Sequence, residues 1–165
     1  MNGIEHKLAT LLGSYAFLEK QIQETVGKIC IQFCRKCRSK CCREEICRES
    51  VESSFLSSLV EQQEIRYDPQ KGWISPLGCR LSYGRPPVCY EFFCEGISKS
   101  EMFQAANIRK IAHEFVSVGN KARGKTHLIC IDNLDLLSAT KMDKMISKIK
   151  GMAVKLANPG FHSKP

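Results

Sequence analysis

The cysteines constrain this chain more than any other feature. Six of its ten, at positions 30, 34, 37, 41, 42 and 47, fall within eighteen residues; three more stand at 79, 89 and 94, and one lies alone at 130. Between 34 and 47 the only other apolar residue is Ile46. A stretch so polar cannot bury enough surface to order itself, so it needs a cross-link. Cysteine makes up about 6% of the chain, below the level of a small secreted disulfide scaffold. The first twenty residues carry Glu5 and Glu19 among their apolar positions and read as an amphipathic helix rather than a secretory signal. No apolar run approaches the roughly 18 residues of a membrane span, so no membrane partner is expected. The expected compartment is the cytoplasm, where thiols stay reduced and clustered cysteines more often hold metal than pair.

The spacing then suggests ligands. Cys34-x2-Cys37-x3-Cys41-Cys42-x4-Cys47 comes first, and Cys79-x9-Cys89-x4-Cys94 follows. Two or three intervening residues let successive thiolates turn onto one ion, at about 2.3 Å for zinc. The side chains of the adjacent pair Cys41 and Cys42 diverge, which suits two metals or a bridging position better than one tetrahedral ion. One zinc takes four thiolates, so the eight expected ligands imply two centres or one polynuclear centre. All four histidines lie outside both clusters. An all-sulfur shell selects zinc, an iron–sulfur cluster or copper(I) over hard cations. Cys30, one helical turn before Cys34, faces the same site or packs as a helix cysteine, and Cys130 reads as core.

The formal charge of +8 must be corrected for this. Eight thiolates and two divalent ions bring it to about +4. Arg35, Lys36, Arg38, Lys40, Arg43, Arg80 and Arg85 stand among or beside the cysteines, where they lower thiol pKa and balance an anionic cluster. Nucleic acid is therefore not the expected partner. Arg85 could donate to cluster sulfur or lie on the surface; Tyr90, Phe92 and Phe93 could shield a cluster or simply fill a core.

Phe33-Cys34-x2-Cys37-x3-Cys41-Cys42, followed by Gly78-Cys79-x5-Arg85-Pro86-x2-Cys89, resembles the YkgJ-type cysteine-cluster proteins, described as a zinc- or iron-chelating domain. The resemblance covers about residues 33–94, and its Cys-x5-Arg-Pro-x2-Cys half is the more specific. It implies metal binding by Cys34, Cys37, Cys41, Cys42, Cys79 and Cys89. Where that family reads Cys-x2-Cys-Gly-x-Cys-Cys, this chain has Arg38-Ser39-Lys40 and one extra residue. The family also places a cysteine before the Gly-Cys step, where this chain has none, so Cys47 or Cys94 is expected to replace that ligand. Flagellin lysine methylases are similar in cysteine pattern, but this chain is too short to carry their chemistry alone.

Around the cysteines the pattern is helical. Ile4, Leu8, Leu11, Tyr15, Leu18, Ile22 and Ile29, with Thr25 as the polar member, form a stripe on a helix over about 4–30. Val51, Phe55, Leu59 and Val60 predict a helix over 50–64, and residues 65–74 a hairpin around a Pro-Gly turn. Ser98 and Glu101 suggest a capping box for a helix to about 120, with Met102, Ala105, Ile108, Ala112, Phe115 and Val116 as its stripe. Residues 128–131 are a strand or a buried helical start, and a last helix covers about 139–157. The expected fold is mainly α: about four helices around a metal-tied, cysteine-rich loop region with a small β-hairpin. One domain, 1–165, comprises an N-terminal helix (1–30), the cysteine region (30–94) and C-terminal helices (98–157).

Two further motifs fail on context. Gly119-x4-Gly124-Lys125-Thr126 fits the phosphate-loop pattern, but follows a helix and precedes an extended run, the reverse of what that loop requires. Cys30-x3-Cys34-x2-Cys37 matches radical-SAM spacing without the β/α units such enzymes need. Nothing pairs a nucleophile with a base, so an enzyme is not favoured. The expected function is metal binding, with thiolates holding an iron–sulfur cluster or zinc in a redox or metal-handling role beside a protein redox partner. The alternative is a zinc-stapled module contacting nucleic acid or an acidic protein.

Overall fold

Helix α1 (Gly3–Cys34) is the longest element of the computed structural model, which describes residues 3–34, 36, 43–76, 78–105 and 107–157. Its apolar stripe turns inward as expected. Leu11, Leu18 and Ile22 are wholly buried, with Tyr15, Val26 and Ile29 beside them, while Ile4 at the open end is exposed. Each fully buried aliphatic side chain contributes about 2 kcal/mol. The polar member of the stripe, Thr25, returns its hydroxyl to the Gln21 carbonyl at 3.2 Å and so satisfies itself locally.

The remaining α-helices described are α2 (Glu44–Glu52), α3 (Ser54–Val60), α4 (Val88–Glu91), α5 (Glu95–Ser98), α6 (Glu101–Ala105), α7 (Ile108–Ser117) and α8 (Ala139–Ala157). The molecule is mainly helical with one small antiparallel sheet, β1 (Ile74–Ser75) against β2 (Gly78–Cys79), in register Ile74↔Cys79 and Ser75↔Gly78. No described helix is long and apolar enough to cross a membrane.

The most extensive helix–helix contact is α1 with α8. Met142, Met145, Ile146, Ile149 and Met152 form the buried side of α8. The two run in the same direction. Lys7 pairs with Asp143 near their N-terminal ends, and further along both meet α7: Tyr15 packs on Phe115 at 4.9 Å, while the neighbouring Glu114 faces Lys155 at 4.0 Å. Tyr15 also meets Phe55 of α3 edge-on at 5.1 Å, and Phe115 meets Tyr90 of α4 at 5.1 Å. These rings join four helices in one core. A smaller cluster stands beside it: Cys47, Val60, Trp73 and Leu81 are buried, with Tyr67, Ile74 and Cys79 packed against them.

Several boundaries differ from the sequence reading, each for a local reason. The helix expected over 50–64 is two helices. Ser53 takes extended backbone, accepts the Leu56 N–H at 3.3 Å as the N-cap of α3, and donates its hydroxyl to the Ile129 carbonyl at 2.7 Å. Val51, placed on the stripe, is consequently exposed. The sheet forms later than the expected hairpin. Residues 68–72 make a turn in which the Asp68 carboxylate accepts the Gln70 and Lys71 N–H groups, and the ladder begins only at Ile74. The helix expected over 98–120 is broken into α6 and α7, with α5 before them. Ser100, rather than Ser98, accepts the Phe103 N–H at 3.3 Å, and Asn107 adopts left-handed backbone with φ 50°. That break buries Phe103 and leaves Met102 exposed.

Residues 128–130 form a 3-10 turn that buries Leu128 and leaves Cys130 exposed, so Cys130 is not the core residue expected. The Gly119–Thr126 segment lies between α7 and this turn, closed by a bridge between Arg123 and Thr126, and so lacks the strand–loop–helix order of a phosphate site. Gly119 is explained by packing. A Cβ there would lie 2.5 Å from the His127 ring, whose Nδ1 accepts the Ile129 N–H while Nε2 donates to the Val116 carbonyl.

Candidate functional site

Of the eight cysteines expected as ligands, the five that are described lie on five separate elements. Cys34 ends α1 and is half-buried; Cys47 is buried on α2; Cys79 is half-buried on β2; Cys89 is half-buried on α4; and Cys94 is half-buried at the N-cap of α5. Cys37, Cys41 and Cys42 lie outside the described residues. Cys30, Cys34, Cys89 and Cys94 pack against the main core, whereas Cys47 and Cys79 belong to the smaller cluster around Trp73.

This division corrects the function expected from the spacing. Among the described residues no group of three or more His, Cys, Asp or Glu side chains is placed to hold a metal ion. A tetrahedral thiolate site needs four sulfurs converging on one point. Of the described thiols, Cys30, Cys34, Cys89 and Cys94 instead pack on the main core and Cys47 and Cys79 on the smaller one, while Cys130 is exposed. The metal-cluster reading and the zinc-stapled alternative are both overturned on this finding.

What the structure gathers instead is a set of titratable groups around Arg85. The loop before α4 is drawn onto α1 by one carboxylate. Glu19, 0% exposed, accepts the Gly84 N–H at 2.7 Å, the Arg85 N–H at 2.9 Å and the Tyr90 hydroxyl at 2.6 Å. Gln23 donates to the same Tyr90 oxygen at 2.8 Å and to Glu19 at 3.3 Å. Gly84 has a backbone reason to be glycine. Its φ is 78°, and a Cβ would lie 3.1 Å from a methyl of Val60. The Arg85 side chain folds back, its Nε and Nη2 donating to the Leu81 carbonyl at 3.1 and 2.8 Å. Pro86 and Pro87 are buried and lead directly into α4.

The electrostatics follow from this burial. Burial pushes the Glu19 carboxyl above its ordinary range; the hydrogen bonds from Tyr90, Gly84 and Arg85 and the Arg85 charge pull it back without cancelling the rise. Tyr90 is pushed well up by burial and by the Glu19 charge. For Arg85, burial opposes the charged form, but Cys79, Tyr90, Cys89 and Glu19 around it more than offset that, so its guanidinium stays positive. Cys47 is different. Burial pushes its thiol up, Cys79 and Glu44 add to the rise, and the Trp73 N–H and Arg85 only partly oppose them. Cys47 is a protonated packing thiol. Cys79 and Cys89 are half-buried and lie within electrostatic reach of the guanidinium.

One open groove of about 460 Å³ lies nearby, lined by Glu44, Gln70, Lys71, Ile74, Ser75 and Pro76. Its carboxylate is already engaged. Glu44 accepts from Arg48 at 2.9 Å and from the Tyr67 hydroxyl at 2.9 Å, and both bonds hold it below its ordinary range.

Glu19 was missed as a functional residue in the sequence, although a signal was present. It stands four residues after Tyr15 and three before Ile22, on the buried stripe itself, where an acid needs a dedicated set of donors. No protein-family model, curated protein or solved structure matches the chain.

Proposed function

We propose that the protein acts through a single reactive thiol, Cys79, in exchange with a disulfide carried by a protein partner, within the reducing cytoplasm. The observation that carries this reading is the Arg85 guanidinium, held by the Leu81 carbonyl within electrostatic reach of Cys79 and Cys89. Reactive cysteines occupy electropositive, partly exposed surroundings, and buried apolar ones are inert. Cys79 is half-buried within reach of the Arg85 charge, whereas Cys47 is buried and its thiol pushed up by that burial. In the exchange, the Cys79 thiolate attacks one sulfur of the partner's disulfide. A new S–S bond forms, the old one breaks, and the displaced sulfur leaves as a thiolate, so that charge and electrons balance. Arg85 gives each of these anions a fixed counter-charge. The likeness of Cys79-x5-Arg85-Pro86-x2-Cys89 to the YkgJ-type pattern supports treating these residues as one unit, and membership in that family is part of the proposal.

Timed labelling with glutathione disulfide, mapped by mass spectrometry, tests it. Cys79 is expected to form the mixed disulfide at least about ten-fold faster than Cys47. Arg85→Gln should slow Cys79 and Arg85→Lys should restore it. Equal rates at the two cysteines, or a rate at Cys79 indifferent to Arg85→Gln, would overturn the proposal. Stoichiometric zinc or iron in anaerobically purified protein would overturn it as well.

A further inference from the structure

The outer side of α8 carries a feature that the thiol chemistry does not use. Lys141, Lys144, Lys148 and Lys155 are spaced by three, four and seven residues, which at 100° per residue places them within a sector of about 60°. The row is about 21 Å long. Lys144, Lys148 and Lys155 are exposed. Lys155 faces Glu114 at 4.0 Å, and Asp143, the one acid on α8, is engaged by Lys7. Lys144 and Lys148 meet no carboxylate among the described residues. Lys141 donates to the Lys121 carbonyl at 3.0 Å, which holds the exposed turn with Lys121, Arg123 and Lys125 beside the start of the row. From 115 to 157 the chain has eight Lys and Arg residues against three acids, Asp132, Asp135 and Asp143.

The chemistry of the row narrows its partner. Its members are all lysines, hydrated point charges without the planar fork that makes arginine the residue of choice for nucleic-acid recognition. No aromatic residue lies on α8 to stack a base. The apolar side of α8 is buried in the core, so the helix cannot insert between acyl chains. A straight row of lysines, with Lys144 and Lys148 at its middle meeting no carboxylate among the described residues, suits a flat, diffuse negative surface, and clusters of four to eight basic residues on a helix have the charge to hold an anionic leaflet.

We propose that the lysine row of α8, with the Lys121–Lys125 turn tethered beside it, docks the protein peripherally on an anionic lipid surface. The test is co-sedimentation of the full chain with vesicles of phosphatidylserine and phosphatidylcholine in about a 3:7 ratio, against vesicles of phosphatidylcholine alone. Binding is expected to the mixed vesicles only and to fade in about 0.5 M salt, where charges are screened within a few ångströms. The double variant Lys144→Gln/Lys148→Gln should weaken it roughly twenty-five-fold, about five-fold per charge. Lys150→Gln, about 180° from Lys141 around the helix, should stay within about two-fold of the parent. Matching far-UV spectra control for folding, since all three positions are on the surface. No binding to the mixed vesicles, equal binding to phosphatidylcholine, or a double variant that binds like the parent would each overturn the inference. Tighter binding to a short DNA duplex than to the mixed vesicles at the same salt would also overturn it.

Discussion

Glu19 shows how one residue can set the geometry of a loop about fifty positions beyond its own helix. Its two oxygens fix the Gly84 and Arg85 backbone and the Tyr90 hydroxyl together, while the Arg85 guanidinium is held by the Leu81 carbonyl. Removing it leaves the Gly84 and Arg85 N–H groups and the Tyr90 hydroxyl without their acceptor, so Glu19→Ala should cost roughly 3 to 5 kcal/mol in urea unfolding. The sign of its pH dependence follows from the raised carboxyl. As pH climbs through the ordinary carboxylate range near 4.3, the unfolded chain ionises before the native one does. Native stability therefore falls across that window and levels off once Glu19 itself ionises. Urea midpoints measured from about pH 4 to 8 should show this decline in the parent and lose it in Glu19→Gln. The cysteines had the opposite legibility at this scale. Their positions were plain, but spacing along a chain does not report which core a side chain joins, and Cys47 and Cys94 pack on different ones.

At the scale of elements, the two long helices were readable because their apolar residues recur over many turns, and α1 and α8 match the expected spans closely. The short helices were not readable as such. Their breaks at Ser53, Ser100 and Asn107 depend on a hydroxyl or a left-handed residue choosing a local hydrogen bond over one more helical turn, which periodicity cannot sense. The long helices also carry a cost that the structure does not redeem. Gly13 and Gly27 are exposed within α1, and a Cβ at either would meet nothing within 4 Å. Gly13→Ala should accordingly stabilise the protein by about 0.5 to 1 kcal/mol, read as a higher urea midpoint with an unchanged slope. Failure to stabilise would mean that this face of α1 is covered in a way the packing does not show.

For the molecule as a whole, the division into a larger helical core and a smaller cluster around Trp73 has a mechanical expression. Gly72, with φ 58°, lies against Cys47 so closely that a Cβ would come within 2.5 Å of the cysteine's own Cβ. Gly72→Ala must push α2 and the residue 68–72 turn apart. It should expose Trp73, the only tryptophan, and red-shift its fluorescence while far-UV circular dichroism stays nearly unchanged. Loss of both signals together would show that the two clusters melt as one. The parallel pairing of α1 with α8 has a different consequence, for the order in which the molecule can be made. About a hundred residues separate two helices that lie against each other, so a growing chain leaving the ribosome presents the apolar stripe of α1 long before its partner exists. Until α8 emerges, that stripe is the surface most in need of a chaperone.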